Sequence, residues 1–158
     1  MDTRLGIGTV CLLGFVGAVA VVDLRTRRIP NHLTVAAAVT AMALGVVRAG
    51  AQGALVSAAG VFTGLAIFLP LCLAGKLGAG DVKAMGAVGA FLGPAGVLLA
   101  AIYTLLAGGI AGAFALVSFR WRTGTGRHTD HQASPVRRQT LPYGIAIACG
   151  TLASVVLR

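Results

Sequence analysis

From Val82 to Phe119 the chain runs for 38 residues with a single charge, Lys83. A helix that crosses a bilayer needs about 20 residues, so this run is too long for one crossing. The dipeptide Gly93-Pro94 is its natural break, because proline has no amide hydrogen for the helical ladder and its ring collides with the preceding turn. Four further apolar segments accompany it: Leu5–Val22, Leu33–Val47, Ala54–Ala74 and Leu141–Leu157. Composition agrees, at 57% hydrophobic and 11% charged with a mean hydropathy of +0.90, where soluble domains are roughly one-quarter charged. A chain of 158 residues makes one small domain, and such a domain cannot hide this much apolar surface from water. A bilayer can. The chain reads as an integral membrane protein, with residues 1–158 forming one membrane-embedded domain.

The segments lack the period-two alternation of barrel strands, and lipid demands that backbone hydrogen bonds close within the segment. The expected fold is therefore all-α, a bundle of about six transmembrane helices, the fourth of them short (about Val82 to Leu92). The 23 glycines suit close helix packing in lipid. Gly60 with Gly64, Gly86 with Ala90 and Gly108 with Gly112 repeat the small-xxx-small spacing, though a chain so rich in glycine and alanine produces it by chance as well.

Six spans place the loops at 23–32, 75–83 and 120–140 on one side. Those loops carry Arg25, Arg27, Arg28, Lys76, Lys83, Arg120, Arg122, Arg127, Arg137 and Arg138, most of the 13 basic residues. The positive-inside rule puts them in the cytoplasm and both termini outside. The net charge of +9 thus records topology, and a nucleic-acid partner is not expected, since only the 120–140 loop offers a solvated basic face. Ala18-Val19-Ala20 resembles a signal-peptide cleavage site. Against cleavage, Asp2 offsets Arg4 and the apolar run continues to Val22, so the first helix is expected to be retained. Cys11, Cys72 and Cys149 lie inside apolar spans and read as small buried hydrophobes. His32 follows a span boundary, while His128 and His131 flank Asp130 in a loop rich in Gly, Thr, Ser and Arg. No metal and no cofactor is expected.

The carboxylates are the scarce resource. There are four, Asp2, Asp23, Asp81 and Asp130, and no glutamate. Asp23 ends the first span and Asp81 begins the fourth, so both face the same boundary of one bundle. Carboxylates against hydrocarbon are costly and usually serve a site. Two that meet at one depth can activate water: one, ionised, takes its proton, and the other, protonated, hydrogen-bonds the scissile carbonyl and feeds the leaving amine. Like charges close together divide these roles, since both cannot ionise cheaply. Structural roles compete. Asp81 can cap its helix by accepting from the Lys83 or Ala84 amide, and Asp23 can pair with Arg25 or Arg27.

Three stretches resemble the type IV prepilin peptidases, membrane aspartyl proteases of the GxGD class. Asp23-Leu-Arg-Thr-Arg-Arg-Ile-Pro30-Asn31 is similar to the family's aspartate followed by an I-P-N turn. Gly78-Ala-Gly80-Asp81-Val-Lys83 matches G-x-G-D-x-K, and Leu141-Pro142-Tyr-Gly144 is similar to the L-P-x-G opening of the last helix. Their order and spacing cover nearly the whole chain. The resemblance implies that Asp23 and Asp81 are the catalytic pair. Gly78, Gly80, Lys83, Pro30, Asn31, Pro142 and Gly144 would then serve substrate binding or motif structure. It also implies an aspartic endopeptidase of the prokaryotic plasma membrane that removes prepilin leaders after a glycine on the cytoplasmic side. Its partners would be prepilin-type precursors, the lipid bilayer and the pilus assembly machinery. Bare Gly78 and Gly80 would let a substrate backbone approach Asp81, and Pro30 suits a first helical turn. Longer members carry a cytoplasmic insert with paired cysteines, associated with methylation. This chain lacks it and looks like the short, peptidase-only form found with tight-adherence pili; archaeal preflagellin peptidases are close relatives. The rival from another class is a small transporter or proton relay using Asp23 and Asp81. A third reading, a scaffold of a secretion machine, leaves both carboxylates unexplained.

Overall fold

The computed structural model describes residues 3–26, 30–75, 77–123 and 143–156. They form four helices: α1 (Thr3–Thr26), α2 (Asn31–Leu73), α3 (Ala79–Thr123) and α4 (Tyr143–Val156). Among the described residues there is no strand. Three helical stretches, Gly6–Thr26, Asn31–Leu73 and Ala79–Phe114, are long and apolar enough to cross a membrane, and α4 is a shorter apolar helix. Large apolar side chains such as Val10, Val47, Phe62, Ile110 and Phe114 face outward, an arrangement that lipid tolerates and water does not.

Fewer helices appear than the six expected segments because two of them each contain an internal break. In α3 the break falls at Gly93, whose φ of 71° lies in the left-handed region, immediately before Pro94 as the dipeptide predicts. In α2 it falls at Ala49 and Gly50, the latter with φ 57°, a conformation open to glycine. There the chain doubles back. A Cβ on Gly45 would lie 2.7 Å from Ser57 Oγ and 2.8 Å from the Gly53 carbonyl oxygen. In a continuous helix, residues 45 and 53 would stand about 12 Å apart along the axis, so α2 is a helical hairpin.

The second half of α2 and the first half of α3 run antiparallel with their backbones in contact. A Cβ on Gly60 would collide with the Gly89 carbonyl, and one on Gly64 would lie 2.6 Å from the Met85 oxygen. Of the small-residue pairs noted in the sequence, Gly60 with Gly64 is thus used, Gly60 meeting Gly89 and Gly64 meeting Met85 and Gly86. Between Val82 and Ala90 only Lys83 is exposed. A helix apolar on all sides belongs in the middle of a bundle, and this segment is the hub. The core gathers around it from all four helices, through Leu12, Val19, Phe68, Met85, Val88, Val97 and Ile147.

The ends of the helices shape the candidate site. Pro30 is the N-cap of α2, extended at φ −68° and ψ 135°, one residue earlier than the first-turn position expected. Its fixed φ suits either place, and its carbonyl accepts the Leu33 amide at 3.1 Å. Gly75, at φ 70°, follows the C-cap of α2 as a left-handed terminator. Arg27, Arg28, Ile29, Lys76, Arg127, His128, Asp130, His131, Arg137, Arg138, Leu141 and Pro142 lie outside the described residues, and with them much of the charge on which the orientation expectation rests.

Candidate active site

On α1 the buried residues Leu12, Phe15, Val16 and Val19 follow one another at three- and four-residue intervals, and Asp23 is the next position on that stripe. The face that packs into the core therefore delivers a carboxylate to the inside of the bundle, one turn before the helix ends. Asp23 is only 7% exposed. A polar group buried so deeply needs a hydrogen-bond partner, and α4 supplies it: the Gly144 amide donates to Asp23 Oδ2 at 2.8 Å. A Cβ at position 144 would lie 2.7 Å from Asp23 Cβ, 2.8 Å from Oδ2 and 3.0 Å from Cγ. Only a residue without a side chain lets the α4 backbone come this close. The pairing with Arg25 considered from sequence does not occur; Arg25 is exposed and makes no ion pair with Asp23. Arg27 is outside the described residues.

Asp81 sits in the first turn of α3. Its amide donates to the Gly78 carbonyl at 3.1 Å, and the Gly78 amide donates back to Asp81 Oδ2 at 3.2 Å. Gly78 stands at the N-cap, and Asp81 three residues on supplies the side-chain half of a capping box, while the bond to the Gly78 carbonyl is a backbone turn. The cap drawn from sequence, with Asp81 accepting from Lys83 or Ala84, is therefore corrected. Asp81 is already inside the helix, so its carboxylate reaches backward rather than forward. Gly80 lies half-buried in the same turn.

Asp23 lies near enough to act electrostatically on Asp81, although they belong to different helices and stand 58 positions apart in the chain. Each uses its Oδ2 for one backbone amide, and among the described residues each Oδ1 is left without a protein partner. Two carboxylates oriented in this way can take up a water molecule or a carbonyl. Two more motif residues meet between α2 and α3: Lys83 Nζ donates to Asn31 Oδ1 at 2.9 Å. Next to this contact a groove of about 310 Å³ opens between α2 and α3, polar at Asn31, Thr34 and Lys83 and apolar along Val35, Val61 and Leu65. Pro142, predicted as part of the last motif, is outside the described residues.

A family model described as the type IV leader peptidase family matches residues 10–113. The chain belongs to that family. The matched stretch contains Asp23, Asn31, Gly78, Asp81 and Lys83 but ends before Gly144. The leader peptidase family assigns the chain to the proteases, and with the three long apolar helices it makes this a membrane protein. Neither a curated protein nor a solved structure matches the chain. The sequence marks Gly144, Lys83 and Asn31 as motif residues but not the bonds they make. It misses Thr34 and the groove altogether, because nothing in the local pattern marks a threonine on an apolar helix as lining a site.

Proposed function

We propose that the protein is an aspartic endopeptidase with Asp23 and Asp81 as its catalytic pair. It crosses the prokaryotic plasma membrane six times as a single domain and removes the leaders of prepilin-type precursors at the cytoplasmic face, after a leader glycine. What supports this reading is membership of the leader peptidase family, with Asp23 and Asp81 near helix ends and within electrostatic reach of each other. Both carboxylates lie within one turn of a helix end, which fits a site at the membrane boundary. A proton relay would place them near the midplane instead.

In the proposed reaction the ionised carboxylate takes a proton from water as the water oxygen attacks the scissile carbonyl. The protonated partner hydrogen-bonds the carbonyl oxygen, where negative charge develops. Collapse of the tetrahedral adduct breaks the C–N bond, and the amine departs with a proton from the pair. The backbone amides of Gly144 and Gly78 hold one oxygen of each carboxylate, so both free oxygens keep a set direction. In this reading the protein is a peptidase and not a methyltransferase.

The test is co-expression with a tight-adherence prepilin, comparing the native chain with Asp81→Asn. Cleavage by the native chain and none by the variant is expected. Robust cleavage by Asp81→Asn would overturn the assignment.

A further inference from the structure

Lys83 stands two residues beyond Asp81 on α3. Side chains two apart on a helix point about 200° from each other and do not face one another. The only charge exposed on the first half of α3 is therefore turned away from the candidate pair, toward the start of α2. Its acceptor there is neutral, the Oδ1 of Asn31 at 2.9 Å, across 52 residues of sequence. Asn31 is the first residue of α2 and follows the N-cap Pro30, eight positions after Asp23 in the chain. The bond thus joins two first helical turns, one carrying Asp81 and the other receiving the chain from Asp23.

The packing makes this location consequential. α2 and α3 pack along much of their length, whereas α1 touches both of them sparingly and packs mainly on α4. Among the described residues the Gly144 bond registers the end of α1 on α4, and α1 meets α3 only sparingly. We propose that Lys83 and Asn31 form a positioning strut that holds the turn of Asp81 at a set distance from the end of α1, and so sets the spacing of the Asp23–Asp81 pair. Neither residue touches the reacting atoms in this account. The proposal rests on the reading of Asp23 and Asp81 as the catalytic pair.

The test uses the full chain in liposomes with Lys83→Met, Asn31→Ala, the double variant, and the conservative Lys83→Arg and Asn31→Asp. Each disrupting single variant is expected to lower kcat about tenfold with little change in KM, and the double variant should be no worse than the singles, because both remove one contact. Lys83→Arg and Asn31→Asp, which keep a donor and an acceptor, should retain most of the activity. The two limbs of the pH–rate profile should shift in the disrupting variants, since spacing sets how strongly two carboxylates couple; general destabilisation would lower the amplitude and leave the limbs in place. A substrate-free reading comes from spin labels at Leu24→Cys and Ala79→Cys in a background with Cys11, Cys72 and Cys149 replaced. The distance between them should shift or broaden in Lys83→Met and return in Lys83→Arg. Multiplicative losses in the double variant, unmoved pH limbs, or an unchanged spin-label distance would each overturn the strut. If the native chain cleaves no prepilin, the peptidase reading fails, while the spin-label distance still decides the strut.

Discussion

Replacing Gly144 with alanine is the sharpest probe of the candidate site, because one methyl group meets the catalytic candidate directly. The added carbon would sit 2.7 Å from Asp23 Cβ and 2.8 Å from Oδ2, where apolar carbons settle at about 3.5–4.0 Å. Roughly 1 Å of separation must open between α4 and the end of α1. Overpacking of this kind costs about 1–3 kcal/mol, and stretching the 2.8 Å amide bond to a buried carboxylate adds a loss of about 1.5–3 kcal/mol if the bond breaks. Activity should suffer more than stability, since a displacement of about 1 Å at reacting groups costs on the order of 100-fold. Gly17→Ala is the control. It lies on α1 six residues before Asp23 with nothing within 4 Å of the new carbon, and alanine there should be neutral or slightly stabilising. The assay pairs prepilin cleavage in liposomes with thermal unfolding in detergent. We expect Gly144→Ala to lose about two orders of magnitude in kcat/KM with a lowered Tm, and Gly17→Ala to keep both. Native rates from Gly144→Ala would refute the claim that α4 holds Asp23 through its bare backbone.

Asp23→Asn, like Asp81→Asn, should abolish cleavage while leaving insertion into the membrane intact, because an amide neither takes nor gives the proton; a gel shift of prepilin beside a membrane-fraction blot reads both. Gly60→Val should destabilise the fold by more than about 3 kcal/mol, since its side chain would meet the Gly89 carbonyl and lie near Gly93 Cα, 3.0 Å from the new carbon, and backbone cannot turn aside as a side chain can. Loss of detergent-stable protein or a large drop in Tm checks this. The purified enzyme given prepilin and S-adenosylmethionine should yield a mature product without an added methyl group, as weighed by mass spectrometry, as the proposed peptidase-only reading requires.

The apolar runs, the Gly93 break and the two carboxylates could all be read from the sequence, each for a local reason. A run of 38 residues with one charge leaves lipid as the only solvent, proline after glycine stops a helical ladder wherever it occurs, and four acids in a chain are few enough to weigh one by one. Local rules also reach Asp81, but only in part. They predict that it caps a helix, yet its bond runs back to Gly78 because the helix starts at Ala79 and places Asp81 inside it.

What the sequence did not reveal is every bond made across the bundle. Asp23 might have met Arg25 two residues on; it meets the amide of Gly144, 121 residues away, because the stripe of Leu12, Val16 and Val19 turns it inward, away from the exposed arginine. Lys83 meets Asn31 and not the nearby Asp81, since helical geometry separates neighbours at two-residue spacing and tertiary packing chooses what lies opposite. Periodicity says which face of a helix is buried. It does not say which helix will cover that face or at what height, and in a bundle rich in glycine and alanine many registers look alike in sequence. The contacts of Gly60 with Gly89, Gly64 with Met85 and Gly144 with Asp23 select one of them, because only there do backbones lacking side chains stand where two helices must touch.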